Sequence, residues 1–188
     1  LERPPILIQG TYRSVQEEEK FIRSFLGGSG FLREKGTPLS AELAGKSREL
    51  DGLAAFILGL KPRLSPHMDG TLPRVEILDS ARRGRRLFTS SRVGCNRCHR
   101  GSNLTISGSL PTSKLLDIGT GIRADVPSLH ALWVSAPYLH DGRAKTLQDV
   151  FTTYNPDDRH GRTSHLTQAE VKDLVHFLLV PFDGPTGQ

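Results

Sequence analysis

The sequence predicts an all-α fold with long irregular loops over residues 80–188, and three observations carry this. A strongly periodic apolar stripe ends the chain at Val171, Leu174, Val175 and Leu178. A second helical segment, from about Ser80 to Thr89, shares Gly84, Leu87 and Phe88 on one face. Between them lies a long segment, Arg100–Asp158, with many Gly, Pro and Ser residues.

The last helix is predicted over Gln168–Leu179. Thr167 and Glu170 have the spacing of a capping box, and Leu166 and Val171 can form the staple across it. Pro181 and Gly184 follow its end. Ser80 can cap the earlier helix, and Gly84 would let a second helix approach closely. Arg82, Arg83, Arg85 and Arg86 give that helix a basic side. A nucleic-acid reading of the cluster lacks an aromatic stacking platform. It is read instead as the solvated face of a helix that turns Leu87 and Phe88 inward.

The composition is that of a globular chain: 36% hydrophobic, 24% charged, and a formal net charge of +5 over 188 residues. Aromatics are only 6%, with 19 Gly and 12 Pro, so the apolar core is thin for the length. A buried cofactor with its own apolar surface would help to fill it. The most apolar stretch, Leu53–Leu60, is far short of a membrane span. No leader peptide is legible, and the chain reads as a mature product or a fragment.

Both cysteines of the chain lie in one pentapeptide, Cys95-Asn96-Arg97-Cys98-His99. A thioredoxin-like pair would follow a strand, and Thr89–Gly94 is not one. A zinc site would need a second ligand pair of similar spacing, and only scattered histidines remain. The third chemistry is covalent haem attachment, in which two thioethers tether the porphyrin and the adjacent histidine binds iron. This assigns Cys95, Cys98 and His99 to one haem c, with His99 as the proximal ligand. Attachment of this kind accompanies export, so a periplasmic or extracytoplasmic location is expected.

The passage Asp125–Leu147 contains Pro127-Ser128-Leu129, then Ala136-Pro137-Tyr138-Leu139-His140-Asp141-Gly142-Arg143, then Thr146-Leu147. With the haem motif upstream, it resembles the C-terminal haem domain of the bacterial di-haem cytochrome c peroxidase/MauG family, from about Ala81 to Val180. The resemblance implies a cytochrome c fold in which the first and last helices cross. It implies a distal iron ligand after the Thr-Leu pair, where Tyr154 stands. His140, His160, His165, Met68 and an open iron remain alternatives. His140 would lie near the haem and bond a propionate or a backbone group, and Trp133 would pack on the haem or serve an electron path. The loop also resembles the family's calcium site, with backbone carbonyls at Ser135 and Pro137; the asparagine the family supplies from its other domain is not identifiable here.

Residues 1–62 echo the tail of the same domain. Gln9–Glu17 reads like His140–Asp149, and Glu49–Leu60 like the terminal helix. They are read as the helical remnant of an upstream cytochrome c domain, followed by a linker over residues 63–79. The exposed stripe Leu53, Phe56, Ile57 and Leu60 would then need a partner. Two functions follow. One is a one-electron carrier in a multi-haem hetero-oligomer, working with a redox partner protein or second haem-bearing chain. The other is a peroxidase or MauG-like oxidase acting on hydrogen peroxide.

Overall fold

The computed structural model describes residues 14–32, 43–60, 65–70, 72–101, 104–107 and 115–180. The chain divides into two compact units: residues 1–62 with 107–114, and the remainder. The fold is helix-rich, with two short β-ladders that the all-α expectation did not include.

In the first unit a helix α1 (Glu18–Ser24) follows a 3₁₀ turn at Val15–Glu17. Helix α2 (Arg48–Gly59) begins where the Ser47 hydroxyl accepts the Leu50 N–H at 3.2 Å. Gln16 and the Gly45 N–H both bond the Asp51 carboxylate and tie the start of α2 to the turn before α1. Leu32, Leu43 and Leu50 form a small core. Glu19 is fully buried, and its carboxylate accepts the N–H groups of Phe31 and Leu32. A buried carboxylate is tolerated only with such donors. On the other side of α2, Phe56 is 65% and Leu60 48% exposed. The proposed echo at Gln9–Arg13 lies outside the described residues, as do 61–64 and 71 of the linker region. The linker's described part carries a hairpin of β1 (Met68–Asp69) and β2 (Leu72–Pro73).

In the second unit α3 (Val75–Thr89) crosses α5 (Gln168–Leu179). Helix α3 starts five residues before the expected cap: Ser80 is interior, and its hydroxyl donates to Asp173 on α5 at 2.6 Å. A serine inside a helix is acceptable when its hydroxyl finds a partner across an interface, so no capping role is needed. Arg83 stays exposed on the solvated face and also pairs with Asp173 through two nitrogens at 2.7 and 2.8 Å. At the crossing Gly84 lies directly beneath the Asp173 carbonyl. The Phe88 and Phe177 rings meet at 5.1 Å, tilted by 57°, a favourable edge-to-face geometry. Phe88 and Leu174 occupy one buried cluster.

The capping box of Thr167 and Glu170 is present as the sequence predicts, and Leu166 and Val171 pack on the same cluster. A second box, Thr146 with Asp149, starts α4 (Leu147–Thr152). That helix buries Leu147, Val150 and Phe151 against the crossing. Strands β3 (Leu116–Asp117) and β4 (Arg123–Ala124) pair in the loop region.

Candidate haem site

After α3 the chain turns at Gly94, whose φ of +82° suits glycine. Cys95–Arg97 form a 3₁₀ turn in which the Cys98 and His99 N–H groups both donate to the Cys95 carbonyl, at 3.2 and 3.0 Å. This single turn gathers both sulfurs and projects the His99 ring beyond them. Asn96 braces it by donating to the Thr89 carbonyl at 3.1 Å.

Cys95 packs against the core. Burial pushes its thiol up to about 11. A redox-active or nucleophilic cysteine needs the opposite shift. An uncharged thioether loses nothing by burial, so the environment suits attachment rather than thiol chemistry. His99 Nδ1 lies 3.1 Å from the Leu104 carbonyl. Donation there places the lone pair on Nε2, the arrangement found in metal-ligating histidines. Burial lowers the pKa of His99, against the hydrogen bonds of the Leu104 and Pro127 carbonyls.

Facing His99 is His160. The ring centroids are 6.2 Å apart, with planes at 49°. An iron held by two imidazoles through bonds of about 2 Å would set the centroids about 6 Å apart. The two histidines therefore fit an iron between them. Burial, followed by the His99 charge, pushes His160 down to about 4, so the ring is neutral and its lone pair is available. Its Nδ1 is buried without a partner among the described residues.

The loop carrying His160 is built from buried polar groups. Asn155 Oδ1 accepts the His160 N–H at 2.8 Å, while its Nδ2 donates to the carbonyls of His160 and Gly161 and to the Thr163 hydroxyl. Thr163 passes its own proton to the Phe151 carbonyl. Asp158, with φ of +57°, accepts the N–H groups of Thr163 and Ser164. The Arg162 N–H donates to the Val93 carbonyl at 2.9 Å and joins this loop to the one that precedes Cys95. Asn155 was not singled out from sequence; the Asn155-Pro156 dipeptide is a turn signal that could have drawn notice.

The structure thus brings together Cys95, Cys98, His99 and His160. Tyr154 is 36% exposed. His140 and His165 are exposed, His140 beside Asp141, whose pKa is held near 2 chiefly by Arg143. Met68 packs against Ile77, Ala81 and Val180. Trp133 is partly buried in a 3₁₀ turn, Leu132–Val134, that rests on α5. Ser135 and Pro137 are exposed. Among the described residues no group of three or more His, Cys, Asp or Glu gathers to hold a metal ion. Likewise, no helix there is long and apolar enough to cross a membrane.

The His160 shift has a testable sign. An unfolded histidine takes up a proton near pH 6.5, while folded His160 resists until about pH 4. Its contribution is therefore complete above pH 6.5 and is lost as the pH falls towards 4, about 3 kcal/mol in full. Denaturant unfolding at pH 7 and pH 4.5 should show a larger loss for the wild type than for His160→Gln. Equal losses would show that His160 is not buried as a neutral ring.

The fold in which α3 crosses α5 has counterparts among known proteins. Among curated proteins it is similar to the hydrazine synthase subunit gamma of Kuenenia stuttgartiensis, at 30% identity over 69% of this chain. The chain spans 48% of the length of that relative. Among solved structures it resembles a chain of Kuenenia stuttgartiensis hydrazine synthase pressurised with xenon, with a TM-score of 0.57 and 24% identity, covering 86% of this chain and 60% of that one. It also resembles a MauG-like protein associated with microbial copper homeostasis, with a TM-score of 0.54 and 18% identity, covering 92% and 67%. No family model matches the chain.

Proposed function

We propose that this chain is an electron-transfer module carrying one haem c, tethered by Cys95 and Cys98 and ligated by His99 and His160. The observation that carries this reading is the pair of half-buried imidazoles 6.2 Å apart beside the Cys-x-x-Cys turn. When bound, the haem supplies a one-electron couple. The chain's part would be to hold the iron through His99 and His160 and to set the surrounding dielectric. With two protein ligands no position is left for peroxide, which places electron transfer ahead of peroxidase chemistry. One observation favours a peroxidase or MauG-like oxidase: His160 Nδ1 lacks a hydrogen-bond acceptor, and a ligand without that support is more easily displaced.

The relative's name, a subunit of hydrazine synthase, supports a place in a multi-subunit redox assembly. Residues 1–62 would be the tail of a second cytochrome domain, and the α2 stripe would meet a redox partner or haem-bearing chain. Side chains such as Phe56 and Leu60 forgo roughly 1.5–3 kcal/mol each while exposed. A periplasmic or extracytoplasmic location follows from covalent attachment.

Acid–acetone extraction tests the core of it. Colour should stay on the wild-type protein and be absent from Cys95→Ala/Cys98→Ala. Extractable haem, or bound zinc with no Soret band, would overturn the assignment. Ferric spectra separate the two functional readings: low-spin iron supports electron transfer, and high-spin iron supports the oxidase.

A further inference from the structure

A second histidine pair lies within the same unit and plays no part in the haem site. His176 stands in the last turn of α5, and His67 in the turn that leads into β1. Their ring centroids are 6.5 Å apart, with planes at 42°. We infer that the imidazoles of His67 and His176 bind one copper or zinc ion.

The proton on His176 can be placed by following its neighbours. Asp173 is held ionised: burial opposes this, but the Arg83 guanidinium and the Ser80 hydroxyl outweigh it and keep its pKa low. Its carboxylate therefore only accepts, and Ser80 gives its single proton there, at 2.6 Å. Ser80 Oγ is then an acceptor towards His176 Nδ1, 2.8 Å away. His176 must carry its proton on Nδ1, and its lone pair is on Nε2. A carboxylate–hydroxyl–imidazole line of this kind fixes tautomer and ring orientation in metal-ligating histidines.

His67 is placed by hydrogen bonds as well. Its N–H donates to the Ser65 hydroxyl at 3.2 Å, and its carbonyl accepts the Arg74 N–H at 3.0 Å. Ser65 in turn donates to the Leu179 carbonyl at 2.7 Å and fastens this turn to the end of α5. Both rings thus hang from fixed backbone. Metal–imidazole bonds of about 2 Å set two ring centroids roughly 5–6 Å apart. The observed 6.5 Å is closed by small side-chain rotations. Two imidazoles without a carboxylate favour copper or zinc over magnesium or calcium. No third His, Cys, Asp or Glu joins them among the described residues, so water would complete a zinc site, and copper(I) could remain two-coordinate.

The test uses the haem-loaded full chain, purified without a histidine tag and stripped with chelator. Copper(I), by competition with a chromophoric chelator, and zinc(II), by calorimetry, are titrated into wild type, His67→Ala, His176→Ala and the double variant. An unchanged Soret band certifies that each is folded. Wild type should take up one equivalent of at least one ion, and either single variant should lose it. Ser80→Ala should weaken uptake about 10–100-fold, and His165→Ala should leave it intact. If His176→Ala does not fold, His67→Ala alone decides. Uptake by His67→Ala equal to that of wild type, for both ions, would overturn the inference, as would no uptake by wild type.

Discussion

Gly84→Ala is expected to destabilise the second unit by about 3 kcal/mol, despite the better helix propensity of alanine. Propensity alone would stabilise an exposed helical position by about 1 kcal/mol. At position 84, however, an added Cβ would lie 1.9 Å from the Asp173 carbonyl oxygen and 2.8 Å from Phe177 Cβ. The first of these is backbone and cannot rotate away, so α3 and α5 must separate. Separation loosens the Phe88–Phe177 contact, the Ser80–Asp173 hydrogen bond and the Arg83–Asp173 pair together. Overpacking typically costs 1–3 kcal/mol, and a clash with backbone belongs at the upper end. For a unit of this size the melting temperature should fall by about 15 °C. Gly52→Ala is the control. It is also helical, in α2, but nothing lies within 4 Å of the added Cβ, so that variant should gain up to about 1 kcal/mol. If both variants are equally stable, α3 and α5 do not meet at Gly84.

His160→Ala is expected to convert the ferric haem from low-spin to high-spin, with added imidazole restoring the low-spin form. Removing the ring would free one side of the iron, and the other candidates on this loop point less to the interior: Tyr154 is 36% exposed and His165 exposed. Tyr154→Phe should leave the spectrum unchanged. The reverse pattern, a spectrum sensitive to Tyr154 and indifferent to His160, would restore the tyrosine that the family resemblance implies. The Asn155–Thr163 hydrogen bonds hold the loop without His160, so the alanine variant should stay folded.

Some of these features are legible in a few adjacent residues. The Cys95–His99 pentapeptide carries within itself the spacing expected of covalent haem attachment. The Thr167/Glu170 box and the stripe after it give α5 both its start and its buried face. Gly84, beside Leu87 and Phe88, already marks a helix that another helix can approach. Each of these is settled within one or two turns of backbone, where sequence spacing and spatial spacing coincide.

The start of α3 was not so legible. Ser80 has the chemistry of a cap, but Asp173, distant in the chain, gives its hydroxyl a partner and lets the helix run back to Val75. The choice among Tyr154, His140, His160 and His165 was open for the same reason: each lies downstream of the haem motif in a loop-rich stretch. The fold brings His160 opposite His99 through contacts remote in sequence, with Arg162 bonded to Val93 and Asn155 clamping the loop. The His67–His176 pair had no signature at all, since its members are joined by a hairpin tied to the end of α5. The sequence by itself determined the Cys-x-x-Cys-His spacing and the terminal helix with its capping box, because these depend on neighbours along the chain. Tertiary structure alone decided which histidine faces His99 and which meets His176, because only packing fixes the distance between rings so far apart in sequence.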